Sequence, residues 1–516
     1  MARAPQQPHK PHQPQTRKRV GPRDTVPLVV VVCLAGGVLS LILLPSNITY
    51  DPYSWAIWAR EIIHLNLATD AGPAWKPLPV MVDVLFAPFG RAEPWLWLLV
   101  ARAGALLSLV MVYRLAQRVA GRAAGVIAVV GLLLSSSFLD YLAPFGMSEP
   151  LLAGLALLAV ERHLDEHHGQ AYGLVYACLL LRPEAFLFFA GYSVFLWRHQ
   201  PRARPWVVVL TALLPVFWLL PDYLSTGDWL RSTRRAEMPT QRGPRLSAFP
   251  AGAVLVSQYN TVVAPAVVGA LAAIATAARR FTRERKDTAV IALSVLGLVW
   301  LAEVAVTTEA GASAGDERYL IVSVAVLCVL AGIGWVRLVP LMRAGIARAG
   351  RPDRTDPRER PDRSDRPDRP DSQRRAGRAA ITLAVLVSVP FVFQRVTELS
   401  GSIGEAPYQA QKYQQLDVLI ARAGGRARIL ACPPVSANIY QIPALAWALG
   451  LHQSDLVIVA GPRGTPIQGH IVQLPRAGTT FRTRTNRGTW TLPAVVGPTA
   501  SRVLAATSQW QVLSTC

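Results

Sequence analysis

Apolar residues in this chain come in long blocks, not at the i, i+3, i+4 spacing of a half-buried helix. Val26–Leu44, Ala123–Leu139 and Tyr319–Leu338 are examples. A run of about 18 or more mostly apolar residues reads as a helix that crosses a membrane. The pattern predicts spans near 26–44, 94–113, 123–139, 148–162, 170–181, 184–197, 206–220, 260–278, 288–306, 319–338 and 379–396. That gives an α-helical polytopic membrane protein of about eleven spans, with the short pieces of 170–197 the hardest to place. Two regions break the pattern. Residues 1–25 are rich in Pro, Gln and Arg and lack a core, as in a disordered tail. Residues 398–516 are more polar, rich in turns, and carry β-like runs at Leu456–Ala460 and Ile471–Leu474, which predicts a separate, small mixed α/β domain. Residues 26–397 then form the membrane domain.

Composition sharpens this reading. The chain has 516 residues, 53 Lys plus Arg against 32 Asp plus Glu, and a formal charge of +21. Such a basic balance ordinarily suggests nucleic acid. Here 52% of residues are hydrophobic and 16% charged, against roughly 25% charged in soluble domains. Nucleic acid is therefore not the expected partner. The first span has a long basic flank and no small-residue cleavage site, as expected of an uncleaved anchor.

The arginines orient the chain instead. Arg17, Lys18, Arg19 and Arg23 precede the first span and put the N-terminus in the cytoplasm. Alternation then places Arg114, Arg118 and Arg122 inside. It does the same for Arg198, Arg202 and Arg204, and for Arg279, Arg280, Arg283, Arg285 and Lys286. The Arg/Pro/Asp-rich linker 339–378 also falls inside. The outer side receives the loop 45–93, the loops 221–259 and 307–318, and the C-terminal domain. Loop 221–259 is an exception to the charge bias, with Arg231, Arg234, Arg235, Arg242 and Arg245 outside. It is either a polyanion-facing loop or a solvated one carried across by its flanking spans.

Cys33, Cys178 and Cys328 lie in apolar runs, where Cys behaves as a small hydrophobe. Cys432 and Cys516 fall on the outer side, where a disulfide can persist; whether the two thiols meet is left open. His9, His12, His163, His167 and His168 read as solvated residues of a tail and a short loop. No Cys/His spacing suggests zinc. A divalent metal is possible but not indicated, and no cofactor is expected.

Loop 45–93 carries the candidate chemistry. Trp55, Trp58, Ile62 and Leu65 recur on one helical face, with Arg60, Glu61 and His64 off it. This suits a helix lying flat in the interface with Trp at headgroup level. Asp51, where the first span emerges, is either a helix cap or a carboxylate able to take a proton. Glu303, an acid inside a span, is a functional candidate by default, or, being near a helix end, an acid that only reaches the interface.

In order along the chain stand Asp51, then Lys76-Pro77-Leu78-Pro79, then Phe89-Gly90, Ser148-Glu149-Pro150, Leu181-Arg182-Pro183-Glu184 and Glu317-Arg318-Tyr319-Leu320. Together these segments resemble the GT-C class of integral-membrane glycosyltransferases. The likeness is to the family 39-like group, which includes protein O-mannosyltransferases and the lipid A aminoarabinose transferase. It covers roughly 26–338. The chain departs from the group in that Asp51 is followed by Pro52, Trp75 precedes the Lys-Pro pair, and Leu78 separates the two prolines.

The resemblance implies inverting transfer of a sugar from a polyprenyl-phosphate donor to a glycan, lipid or protein acceptor of the envelope. The reaction would occur on the outer face of a bacterial plasma membrane. Asp51 is then the candidate base, and Glu149 a second carboxylate that orients acceptor or sugar. Lys76, Arg182 and Arg318 are candidates for the donor phosphate. Trp55, Glu184 and Tyr319 are candidates for sugar or acceptor. Each has a plainer alternative: Lys76 snorkelling, Arg182 paired with Glu184 across a helix break, Arg318 anchoring at the interface, Glu149 favoured by a helix dipole. Two other functions compete. A transporter or lipid flippase should show repeated halves and midplane ionisable residues, which the sequence does not display. A non-catalytic scaffold would have no need of Asp51.

Overall fold

A computed structural model describes residues 25–136, 138–139, 143–238, 243–279, 285–349, 382, 386, 388–401, 404–459, 478–484 and 502–516. The tail with His9 and His12, the linker from residue 350, Arg242, Arg280, Arg283, the β-like run Ile471–Leu474 and much of the 379–396 span lie outside the described residues.

The first helices are α1 (Val26–Leu43), α2 (Tyr50–Ile63), α3 (Pro77–Phe86), α4 (Glu93–Ala120), α5 (Arg122–Leu133), α6 (Glu149–Leu164), α7 (His168–Leu181) and α8 (Phe186–His199). Then come α9 (Arg204–Trp218), α10 (Leu220–Thr226), α11 (Arg231–Glu237), α12 (Pro250–Thr261), α13 (Ala264–Ala278), α14 (Arg285–Glu309) and α15 (Ile321–Ala349). A helical segment over 388–401, α16, leads to α17 (Glu405–Arg422), α18 (Gly425–Leu430) and α19 (Ile442–Leu449).

Among the described residues, five helical stretches are long and apolar enough to cross a membrane, and a sixth results if the α12–α13 pair, bent by 102°, is one span. They coincide with the expected spans at 26–44, 94–113, 206–220, 260–278, 288–306 and 319–338. The expected spans at 123–139, 148–162, 170–181 and 184–197 correspond to helices of 12, 16, 14 and 14 residues. These are shorter than the ~20 residues that cross a bilayer unaided. The chain is a multi-pass helical membrane protein.

α15 runs through the centre of the bundle, between α5, α13 and α14. Small residues let it approach its neighbours. A Cβ on Gly334 would collide with the carbonyl oxygen of Gly269 on α13, and one on Gly332 with that of Ala124 on α5. Without a hydrophobic drive between helices in lipid, close backbone approach of this kind supplies the packing. At one end of the bundle, Arg114 near the end of α4 binds Glu161 of α6 at 2.9 Å and Thr25, at the start of α1, at 3.0 Å. Arg118 binds Asp165 at 2.6 Å. The arginine-flanked start of α1 therefore sits at the end where α4 and α6 finish. The starts of α2, α4 and α6 mark the opposite end.

The C-terminal region is α/β, as the turn-rich composition predicted. Strands β1 (Val435–Ala437), β2 (Leu456–Ile458), β3 (Thr479–Thr483), β4 (Arg502–Ala506) and β5 (Trp510–Ser514) form one sheet in the order β2-β1-β3-β5-β4. β1 pairs in parallel with β2 and β3; β5 pairs antiparallel with β3 and β4. A disulfide joins Cys432, before β1, to Cys516, just after β5.

α2 does not present its tryptophans outward, as a helix with Trp at headgroup level would. Trp55 and Trp58 are fully buried, in a cluster with Trp75 and Trp97, while Leu65 is 95% exposed. Ile57 belongs to the core of the C-terminal region. The polar face expected to meet water is instead the docking face. Glu61 accepts from His452 at 2.7 Å, Arg60 donates to the Leu451 carbonyl at 2.7 Å, and Ser54 bonds Gln453 at 2.9 Å. The correction has a simple cause: a helix apolar on one face and polar on another can be buried on both when a second layer covers it.

Candidate active site

Two of the expected cations sit immediately before a proline. The ring of the next residue disfavours helical geometry at such a position and extends it. Lys76 is extended before Pro77, the first residue of α3, and Arg182 is extended before Pro183, where α7 stops. Each stands at a helix end, and each reaches Glu149 at the start of α6. The approach to Lys76 is pinned: Trp75 donates its backbone N–H to Ser232 at 2.7 Å and its indole N–H to the Phe217 carbonyl at 2.9 Å. Asp51 lies in the first turn of α2, where the helix dipole favours an acid. Arg318 lies in the 3-10 turn that enters α15. The Tyr319 carbonyl there is held by the Trp300 indole at 2.8 Å.

The structure brings these groups together. Arg318 Nη1 donates to Asp51 Oδ2 at 2.8 Å. Lys76 Nζ donates to Glu149 Oε1 at 3.1 Å and to Ser148 Oγ at 3.2 Å. Arg182 reaches Glu149 Oε1 at 3.6 Å and makes a two-pronged pair with Glu184. Its guanidinium also lies 3.6 Å from the Tyr319 ring centroid, with Arg318 5.4 Å from the same ring. Arg318 Nε also lies 3.6 Å from Asp316, so Lys76, Arg182 and Arg318 meet four carboxylates, Asp51, Glu149, Glu184 and Asp316. Lys76 stands outside the helical spans. Its burial lowers the ammonium's pKa from the ordinary lysine value, against the pull of Glu149.

Asp51, Lys76, Arg182, Glu184, Arg318 and Tyr319 all line one cavity of about 610 Å³. Two expected residues do not. Glu149 is 0% exposed and stands behind the wall, where it holds Lys76 and Arg182; no described residue donates to its Oε2. Trp55 is also 0% exposed and lies under Lys76, its ring centroid 5.2 Å from the ammonium. Both lie behind the cations, Glu149 as the carboxylate shared by Lys76 and Arg182 and Trp55 beneath the Lys76 ammonium.

Other residues join the cavity that the sequence did not single out for it. Glu303 of α14 is on its wall, with Oε2 buried and without a hydrogen-bond partner among the described residues. An acid inside a span was the available signal; its position near the helix end pointed instead to the interface. Tyr50, Trp218 and Tyr440 line it too, the last from the C-terminal region. The unusual arginine loop divides. Arg231 donates to the carbonyls of Gly72 and Pro73, Arg235 donates to that of Gly72, and Arg235 also lines the cavity. Arg234 pairs with Asp228, and Arg245 with the Glu237 carbonyl. Among the described residues, no three His, Cys, Asp or Glu side chains gather as metal ligands would.

These features describe a multi-pass helical membrane protein with a charged cavity at one end. Neither a family model nor a curated protein matches the chain. Among solved structures, it is similar to ArnT from Cupriavidus metallidurans in the apo state. The TM-score is 0.50 at 14% identity, covering 95% of this chain and 98% of that one. The same ArnT bound to undecaprenyl phosphate gives 0.49 at 12% identity, with the same coverage. An oligosaccharyltransferase of Archaeoglobus fulgidus, tethered with an acceptor peptide, gives 0.41 at 12%, covering 86% of this chain and 66% of that one. The likeness to apo ArnT is one of fold.

Proposed function

We propose that the chain is a membrane glycosyltransferase that moves a sugar from a polyprenyl-phosphate donor to an envelope glycan, lipid or protein, by a single inverting displacement. The observation that carries this reading is the convergence of Lys76, Arg182 and Arg318 with Asp51 on one cavity at the end of the bundle opposite the arginine-flanked N-terminus. With that N-terminus in the cytoplasm, the cavity opens on the outer face of a bacterial plasma membrane, where the C-terminal region also lies. A lipid tail would stay in the bilayer while its phosphate met the cations at the boundary.

Asp51 acts as base. It takes the proton of an acceptor hydroxyl through the oxygen not engaged by Arg318, as that hydroxyl forms the new bond to the anomeric carbon. The bond from that carbon to the phosphate oxygen breaks, and polyprenyl phosphate leaves. The leaving group needs charge stabilisation more than a proton, which Lys76, Arg182 and Arg318 supply. Glu184 and Tyr319 line the same space and would contact sugar or acceptor. Glu149 and Trp55 act as positioning residues. No metal is assigned a role. Mannosyl or arabinosyl transfer is the specificity suggested by the Arg/Ala/Pro-rich composition, as of a high-GC bacterium.

The test is Asp51→Asn in the purified protein, offered a panel of polyprenyl-phosphate sugars with extracted envelope acceptors. Transfer is expected in the wild type and lost by about 100-fold or more in the variant. Transfer at the wild-type rate would refute the assigned base. Thiol labelling of a single cysteine placed at residue 400 tests the sidedness; labelling from the cytoplasm alone would overturn it.

A further inference from the structure

A second cavity, of about 540 Å³, lies between the bundle and the C-terminal region. Its volume is within the roughly 300–1,000 Å³ range of small-ligand sites. It is separate from the first. At 100° per residue, Tyr53 and Arg60 share a face of α2 that points away from Asp51, and they line this second cavity. The opposite wall comes from Tyr413 of α17 and Trp447 of α19, and Trp95 of α4 closes one side.

Its chemistry is specific. Aromatic side chains line the space: Tyr53 and Tyr413 pack against each other with ring centroids 5.8 Å apart, Arg60 lies 5.4 Å from the centroid of the Trp447 ring, and Trp95 keeps an open face. Asn47 also lines it. This side chain is 4% exposed, and its Nδ2 is buried without a hydrogen-bond partner among the described residues. A buried amide left unpaired is costly, so a ligand acceptor at this point would be favoured. The cations here are already engaged. Arg60 donates to the Leu451 carbonyl, and Arg91 at the rim pairs with Asp417 at 3.3 Å. The unsatisfied group is a neutral donor, so an uncharged hydroxylated ligand fits better than a phosphate. Flat aromatic faces with an amide donor suit the apolar faces and hydroxyl rims of sugar rings.

We propose that this cleft is a binding site for a short neutral oligosaccharide. A glycan-bearing acceptor would rest a neighbouring part of its sugar chain there while its reacting end lay in the first cavity across α2. That role rests on the proposed transfer, but the binding itself does not.

The experiment uses the full chain in lipid nanodiscs with cellotriose, maltotriose and mannotriose as probes, read by saturation-transfer NMR and by titration. At least one probe should bind the wild type and bind about tenfold more weakly to Trp95→Ala and to Asn47→Leu. Trp95 is 42% exposed, so its loss leaves the core intact if Asn47→Leu fails to fold. Asp51→Asn should bind as the wild type does, which separates this site from the transfer reaction. Binding that persists there while no donor is ever consumed keeps the glycan site and removes the transferase. Three results would overturn the proposal: no probe bound by the wild type, binding unchanged in Trp95→Ala, or displacement of the probe by inorganic phosphate.

Discussion

Replacing Glu149 with Gln tests how the charged network is held together. Glu149 is fully buried and is the anion shared by Lys76 at 3.1 Å and Arg182 at 3.6 Å. Removing one partner of a buried pair costs about 3–5 kcal/mol, because the other charge is left uncompensated. Arg182 keeps Glu184, so the loss falls mainly on Lys76, and the lower end, about 3 kcal/mol, is the expected figure. In a chain of this size that corresponds to a fall in Tm of roughly 6 °C, at about 2 °C per kcal/mol. An anion placed between the same cations should repair the defect. Polyprenyl phosphate at 100 times its Kd would stabilise the wild type by about 2.7 kcal/mol, and should stabilise the variant by more. The assay is thermal unfolding of both proteins at pH 6, with and without the lipid phosphate. A variant that melts with the wild type, or one that gains less from the lipid, would refute the assigned role of Glu149.

Three further outcomes follow from the same geometry. Burial lowers the pKa of Lys76, and only the ammonium form can hold a phosphate. Transfer should therefore be lost as pH rises through a value below the ordinary lysine pKa of 10.5, and Lys76→Arg should move that loss to higher pH in a rate profile. Cys432→Ser opens a link between positions 84 residues apart. In the chain-entropy account this costs about 4–5 kcal/mol, and protease susceptibility of the C-terminal region should rise; equal resistance with and without the bond would argue against it. Gly334→Val places a side chain against the Gly269 carbonyl of α13, and should lower Tm by several degrees where Val326→Ala causes a smaller drop.

Much of the scaffold was legible because membrane insertion is a local property. A helix in lipid satisfies its backbone within itself, so the apolar blocks at 26–44, 288–306 and 319–338 announced α1, α14 and α15 without reference to one another. The short helices α7 and α8 were harder to place. Their length is below that of a free span, and neighbours decide how they sit. The sheet was mostly hidden. Leu456–Ala460 pointed to β2, but β1, with three residues, has no periodicity to read.

The candidate site divides the same way. The sequence determined the order of the charged residues, and it placed Lys76 and Arg182 before prolines that force them out of helical geometry. It also left Arg182 and Glu184 close enough to pair. Only the tertiary structure decided the longer links. Arg318 and Asp51 are 267 positions apart, Lys76 and Glu149 are 73, and His452 and Glu61 are 391. Such pairings depend on which helix ends pack together, and chain-local patterns carry no record of that. For the same reason a helix that looked interfacial became a buried wall between two cavities: its apolar tryptophans met one layer, and its polar face met another that lies nearly four hundred residues further along the chain.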